Sequence, residues 1–296
     1  MQERPEPSWT VHENTAKANG PGKKSTPQRG FNLPELLVVL VTIAILFSLV
    51  LPVMAKARIR TTGAGCLNNF RQMMLGWTMY KDNNRDFLLP FAQLGSSPSN
   101  SWCGGNGENW STATANTNRA YYLSCLFAPY INNRIELLRC PGDYMPSANG
   151  FRIRSCSMNG LMGGSTTTSP QLPLYANTSW KQYAKGSDLT CPTPMNAFIF
   201  CDESMASLND AYLQMNLNSP IYPDCPANYH EGAGSFSFAD GHAELHRWSP
   251  FLANGTGLAS LPYGPSYGYP FGSNRASSAS DPDWIWLKNH TSCKLF

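Results

Sequence analysis

Residues 36–55 carry no charged side chain, a run of twenty bounded by Glu35 and Lys56. At 1.5 Å per helical residue the run reaches about 30 Å, the thickness of a bilayer's hydrocarbon core. A secretory signal has a shorter apolar stretch with a small-residue cleavage site after it. Here the plausible processing junction, Gly30-Phe31, precedes the apolar run, so a membrane helix would survive cleavage. Lys23, Lys24 and Arg29 lie on one side of the span and Lys56, Arg58 and Arg60 on the other, so flanking charge leaves orientation open.

Glu35 stands at the mouth of this run. A carboxylate at mid-membrane costs about 2.5–3.5 kcal/mol or more, so such a group is partnered, functional, or held at head-group level. Beyond the span, Leu67, Phe70, Met74 and Trp77 recur at spacings of three and four, flanked by Met73 and Tyr80. That periodicity predicts an amphipathic continuation with one buried face. Gly63 and Gly65 are expected to bend or fray it, and Asp82-Asn83-Asn84 to end it.

The remaining chain reads as one exposed, loop-rich body. Charged residues are 14% of the sequence and the net charge is +3, which gives no footprint for nucleic acid. All nine cysteines follow the apolar run, at 66, 103, 125, 140, 156, 191, 201, 225 and 293. With no CxxC pair and no zinc-finger spacing, disulfides between some of them are the expected use, and an odd count leaves at least one cysteine unpaired. Residues 95–118 and 252–280, rich in Gly, Ser, Asn and Pro, are predicted loops, the second including the turn-prone Tyr263–Pro270. Asp281 to Leu287 is predicted to return to the core as a closing strand or a short helix. Trp102, Trp110, Trp180, Trp248, Trp284 and Trp286 would serve as exposed stacking platforms or, more commonly, as core.

Two strand signals stand out. Ala197 to Ser204 reads as a strand ending in the acids Asp202 and Glu203. Ser235 to Phe238 and Ala243 to His246 alternate around Asp240-Gly241, which predicts a β-hairpin with a two-residue primed turn. Asp240 and Gly241 would then serve backbone geometry. His230 and His242 could approach one another, and Asp202, Glu203, His230 and Asp240 are the side chains able to offer donors to a cation. No Asp-x-Asp-x-Asp calcium loop is present, so structural hydrogen bonding is the default reading and no metal or cofactor is assigned. Catalysis has no local signature either. There is no Gly-x-Ser-x-Gly elbow, and the Gly-Gly pairs at 104–105 and 163–164 lack phosphate-loop context.

The junction Arg29-Gly30-Phe31-Asn32-Leu33-Pro34-Glu35 before an apolar helix resembles the N-terminus of type IV prepilins and pseudopilins, Gly-Phe-Thr-Leu-x-Glu. Pro34 departs from that pattern mildly, since a first-turn proline gives up an N–H that has no helical partner anyway. The resemblance implies cleavage after Gly30 by a prepilin peptidase, N-methylation of Phe31, and a pairing role for Glu35 with a neighbouring subunit's amino terminus during assembly. Pro52 falls where pilin helices often carry a kinking proline. Cys66 to Gln72, Leu138 to Asp143, Arg154 to Gly160, and His230 with Asp240-Gly241 extend the likeness to prepilin-type proteins with a His-X9-Asp-Gly C-terminal domain. These segments cover residues 30–82 and islands of 138–248.

The implied protein is α+β and pilin-like: a leader at 1–30, a transmembrane and amphipathic helix at 31–82, and an exported domain at 83–296 with an antiparallel sheet and long loops. Its implied role is a non-enzymatic structural subunit of a type II secretion or type IV pilus-like assembly. Its partners would be the peptidase, other pseudopilins and the bacterial inner membrane, with the body in the periplasm or outside. The alternatives are a surface-displayed binding module that uses the same export route, and an ordinary single-span protein never cleaved.

Overall fold

The computed structural model describes residues 32–91, 98–104, 107–163, 179–252, 255–260 and 275–295. Contacts divide the chain into two units, Met1–Leu51 and Pro52–Phe296. The described part of the first is the opening of α1 (Leu33–Asn83). Its stretch Leu33–Leu51 has a mean hydropathy of 2.6 and is exposed throughout, long and apolar enough to cross a membrane. Thr42 and Ser48 turn their hydroxyls back onto the carbonyls of Val39 (2.8 Å) and Ile45 (2.7 Å), so neither is left as an unpaired donor on the apolar surface.

In the second unit α1 buries a single face. Gly63, Cys66, Phe70, Met73, Met74, Gly76, Trp77 and Tyr80 are buried, at helical spacings of three and four. Each of its large apolar side chains contributes about 1.5–3 kcal/mol by leaving water. Phe70, Met73, Met74, Trp77 and Tyr80 are buried as expected, and only the first residue of the stripe differs, with Cys66 buried and Leu67 half-buried. The helix also runs unbroken through Pro52, Gly63 and Gly65. At Gly63 the physical reason is packing, because an added Cβ would lie 3.2 Å from the side chain of Leu245.

The body is mixed α and β. Its main sheet contains β1 (Cys156–Asn159), β2 (Phe198–Asp202), β3 (Tyr212–Leu213), β5 (Ala233–Phe238) and β6 (Ala243–Arg247), in the order β3-β1-β2-β5-β6. The expected all-antiparallel sheet is corrected at one pair: β3 lies parallel to β1, which it reaches only after the chain has passed through β2. Two short antiparallel pairs lie outside this sheet, β4 (Ile221–Tyr222) with β9 (Arg275–Ala276), and β7 (Phe251–Leu252) with β8 (Gly255–Thr256). In the predicted loop at 95–118 lies α2 (Thr114–Thr117), followed by α3 (Arg119–Leu123). Tyr263–Pro270 lies outside the described residues.

Each sheet face covers its own core. One holds the α1 seam with Met158, Ile199 and Phe200. The other holds Phe198, Phe236 and Phe238 with Trp248, Trp284 and Leu287. A bulge in β2 between Phe198 and Phe200 supplies the extra residue that sends these two rings to opposite cores. The second core is closed by α4 (Pro282–Thr291). Of the two forms predicted there the helix is found, because Asp281 accepts the Asp283 N–H (3.0 Å) as N-cap and Pro282 fits the first turn.

Candidate functional site

Of the processing residues, Gly30 and Phe31 lie outside the described residues. Glu35 sits in the first turn of α1, where its Oε2 accepts the backbone N–H of Asn32 (3.0 Å). That reach-back is half of a capping box, and a carboxylate there also complements the helix dipole. Glu35 therefore has a local partner within its own chain.

The hairpin β5–β6 forms as its alternation predicts, with a different turn. Gly241 N–H bonds the Phe238 carbonyl (2.8 Å), Phe238 pairs with His242, and Gly241 alone takes a positive φ of 95°. This is a three-residue loop, a type I turn closed by a left-handed glycine, in place of a two-residue primed turn. Asp240 accepts from the His242 backbone (3.1 Å) and lies 2.6 Å from its ring nitrogen. The primed turn lies at the other end of β5: His230 and Ala233 exchange backbone bonds of 3.2 Å across Glu231 (φ 54°) and Gly232 (φ 78°). The His-X9-Asp-Gly spacing is thus the length of β5 with one turn at each end. It keeps His230 apart from Asp240 and His242.

His230 instead joins Asp202, Cys66 and Cys140. Cys66 comes from the buried seam of α1, Cys140 from the loop after the short 3-10 helix Ile135–Leu138, and Asp202 from the end of β2. Cys66 Sγ lies 3.0 Å from Asp202 Oδ2, Cys140 Sγ 3.2 Å from His230 Nε2, and that nitrogen 3.7 Å from Asp202 Oδ2. All four donor atoms lie within 4.8 Å of one another, and all four residues are buried. Gly142 aims its N–H at Cys140 Sγ (3.2 Å), and an added Cβ there would come 3.0 Å from the His230 ring. Burial alone would lower the His230 pKa, but the Asp202 carboxylate and the Cys140 sulfur outweigh it and push it up to about 10. Burial, reinforced by Cys140 and Asp202, holds the Cys66 thiol well above its usual range.

Glu203 and Asp240 stay out of this cluster. The Glu203 carboxyl takes hydroxyl donors from Ser157 and from Ser207 (2.9 Å). Burial, with nearby Asp210, raises it to about 8. A second buried polar knot holds the sheet from the other side of β1. Arg154 Nε donates to Glu108 Oε1 (2.8 Å), Nη2 lies 2.8 Å from Oε2, and Nη1 donates to the Cys156 carbonyl and to Ser157, each at 2.9 Å.

The cysteines pair in part, as expected. One bridge forms, Cys191–Cys293, and the other seven are buried thiols. The aromatic alternative resolves toward core: Trp102, Trp180, Trp248 and Trp284 are buried, and Trp110 and Trp286 half-buried. The chain matches no protein-family model, no curated protein and no solved structure. The residues missed in the sequence are Cys66 and Cys140. Cys66 had one signal, its place in register with Phe70, Met73 and Trp77. Cys140 and its partners are far apart in the chain, 136 residues between Cys66 and Asp202 and 90 between Cys140 and His230, and only the fold joins them.

Proposed function

We propose that this chain is a non-enzymatic, membrane-anchored subunit of a pseudopilin-type assembly, processed by a prepilin peptidase after Gly30 and N-methylated at Phe31. The observation that carries the reading is the division of labour within α1. Leu33–Leu51 is apolar and exposed, and needs lipid or other helices around it; from Gly63 onward one face is the core of a folded body. An anchor serving only as a tether needs no such continuity. In the assembly the apolar segments of neighbouring subunits replace lipid contacts, and Glu35, already at the helix N-terminus, exchanges its bond to Asn32 for a neighbour's amino terminus. The body lies on the outer side of the inner membrane.

The test is intact mass and N-terminal peptide mapping of membrane-extracted chain, co-expressed with a prepilin peptidase, beside Gly30→Leu. A mature chain starting at methylated Phe31, absent from the variant, is the expected result. An uncleaved chain under active peptidase overturns the reading. Glu35→Ala separates assembly from mere display: cleavage persists, while crosslinks between chains through residues 31–55 are lost.

A further inference from the structure

We propose that Cys66, Cys140, Asp202 and His230 form a structural zinc site that pins α1 to the sheet. The donor set carries the assignment. Two thiolates, one imidazole nitrogen and one carboxylate oxygen match the ligand types that zinc takes in closed tetrahedral sites, and the sulfurs exclude calcium and magnesium. The geometry agrees. Zinc–ligand bonds of 2.0–2.3 Å place the corners of a tetrahedron about 3.3–3.8 Å apart. Of the observed separations 3.7 Å falls within that range and 3.0 and 3.2 Å lie just below it, and none among the four exceeds 4.8 Å. Because the four donors lie within 4.8 Å of one another, side-chain shifts of about 1 Å at most bring them onto an ion.

The surroundings fit as well. The ion would take Asp202 Oδ2 and His230 Nε2; the other atom of each, Oδ1 and Nδ1, is buried with no hydrogen-bond partner among the described residues. Two thiolates and a carboxylate around a dication leave one net negative charge, and the Gly142 N–H directed at Cys140 Sγ offsets part of it. On binding, the two thiols and the protonated His230 ring each give up a proton to solvent. A surface cleft of about 560 Å³, lined by Asn69, Arg139, Cys140 and Pro141 among others, reaches Cys140 and offers the ion a way in. With four protein donors and no open position, the site is structural rather than catalytic. It ties α1 to β2 and to the turn before β5, and it belongs to residues 52–296, independent of processing at Gly30.

The experiment uses the full chain in detergent, purified without chelator, with Zn²⁺ and Co²⁺ as probes. Elemental analysis after dialysis is expected to give one zinc per chain. Co²⁺ exchange is expected to give the intense visible bands of a tetrahedral ion and a near-ultraviolet sulfur-to-metal band. Cys66→Ser and Cys140→Ser should each weaken that band and lower zinc affinity about tenfold or more, while Cys125→Ser, a buried thiol elsewhere, leaves both unchanged. Because a variant can fail to fold, the wild-type chain is also melted with and without a chelator, and chelation should lower its Tm. Absence of bound zinc in a chain with titratable thiols, cobalt bands unchanged in Cys140→Ser, or a Cys66–Cys140 disulfide in the peptide map would each overturn the proposal.

Discussion

Gly76 lies in the interior of α1, where alanine would ordinarily stabilise a helix by about 0.5–1 kcal/mol. The structure reverses that sign. An added Cβ would stand 2.8 Å from the Tyr130 carbonyl oxygen and 3.1 Å from side-chain atoms of Phe127 and Ile131. The oxygen belongs to backbone, so the helix itself has to move, and it is held by Met73, Trp77 and Tyr80 on either side. Overpacking of this kind costs about 1–3 kcal/mol. Subtracting the helix-propensity gain leaves Gly76→Ala destabilised by about 0–2.5 kcal/mol. Gly65 is the internal control: its Cβ would meet only Pro141, at 3.4 Å, in ordinary contact, so Gly65→Ala should gain the propensity and lose nothing. Urea unfolding of the detergent-solubilised chain, followed by tryptophan fluorescence, reads both midpoints, since Trp77 sits one residue from the contact. A Gly76→Ala midpoint above wild type, or a Gly65→Ala midpoint clearly below it, would refute the argument that helix-to-backbone contact dominates at this seam.

Arg154→Met should cost about 3–5 kcal/mol, because it strands the buried Glu108 carboxylate, and adding Glu108→Leu should recover much of that loss in the same unfolding assay. The Cys191–Cys293 bridge closes 102 residues, so Cys293→Ser should lower stability by about 2–5 kcal/mol under non-reducing conditions, and added reductant should bring wild type down to the variant. His246 stacks on Trp286 at 3.7 Å, and burial, then nearby His290, lowers its pKa to about 4. The unfolded chain takes up that proton near pH 6.5, so the stability His246 contributes is present above that pH and is lost as pH falls toward 4. His246→Phe should therefore show a shallower loss between pH 6.5 and 4 than wild type, and a His246 ring signal that titrates near 6.5 by NMR would contradict it. Buried Asp283, raised to about 6 by burial and Asp281, works in the opposite sense, contributing stability at low pH that is lost as pH rises through 6, and Asp283→Asn should remove that slope.

Local chemistry was legible and long-range closure was not. The apolar run, the buried stripe of α1 and the β5–β6 pairing follow from periodicity within a dozen or so residues, and all three are present. Only the stripe's first residue differs, because helical spacing alone does not say whether Cys66 or Leu67 faces inward; the sheet decides it. The turn at Asp240-Gly241 was misread because Asp-Gly suits both a two-residue loop and a type I turn with a left-handed glycine, and the pairing of Phe238 with His242 selects the second. For the cluster, Asp202 and His230 were named and Glu203 and Asp240 with them, since sequence offers oxygens and nitrogens without directions. Asp202 ends β2 and Glu203 lies just beyond it, where its carboxyl turns to Ser157 and Ser207 instead of to Cys66 and His230. Cys140 is brought in by a loop whose path depends on packing across the whole body, and no spacing rule reports it.

The order of the main sheet bears on how such a body can meet its own copies. Its two outer strands are β3, only two residues long, and β6, where Glu244 and Arg247 are exposed. Short or charge-bearing margins are poor templates for adding a strand from another molecule. Growth by strand addition along this sheet is therefore disfavoured, and the assembly proposed above would have to be held by helix-to-helix contact. Its cohesion would then be governed by apolar burial: weakened by cooling and by detergents that solvate Leu33–Leu51, and little affected by changes at the sheet margin.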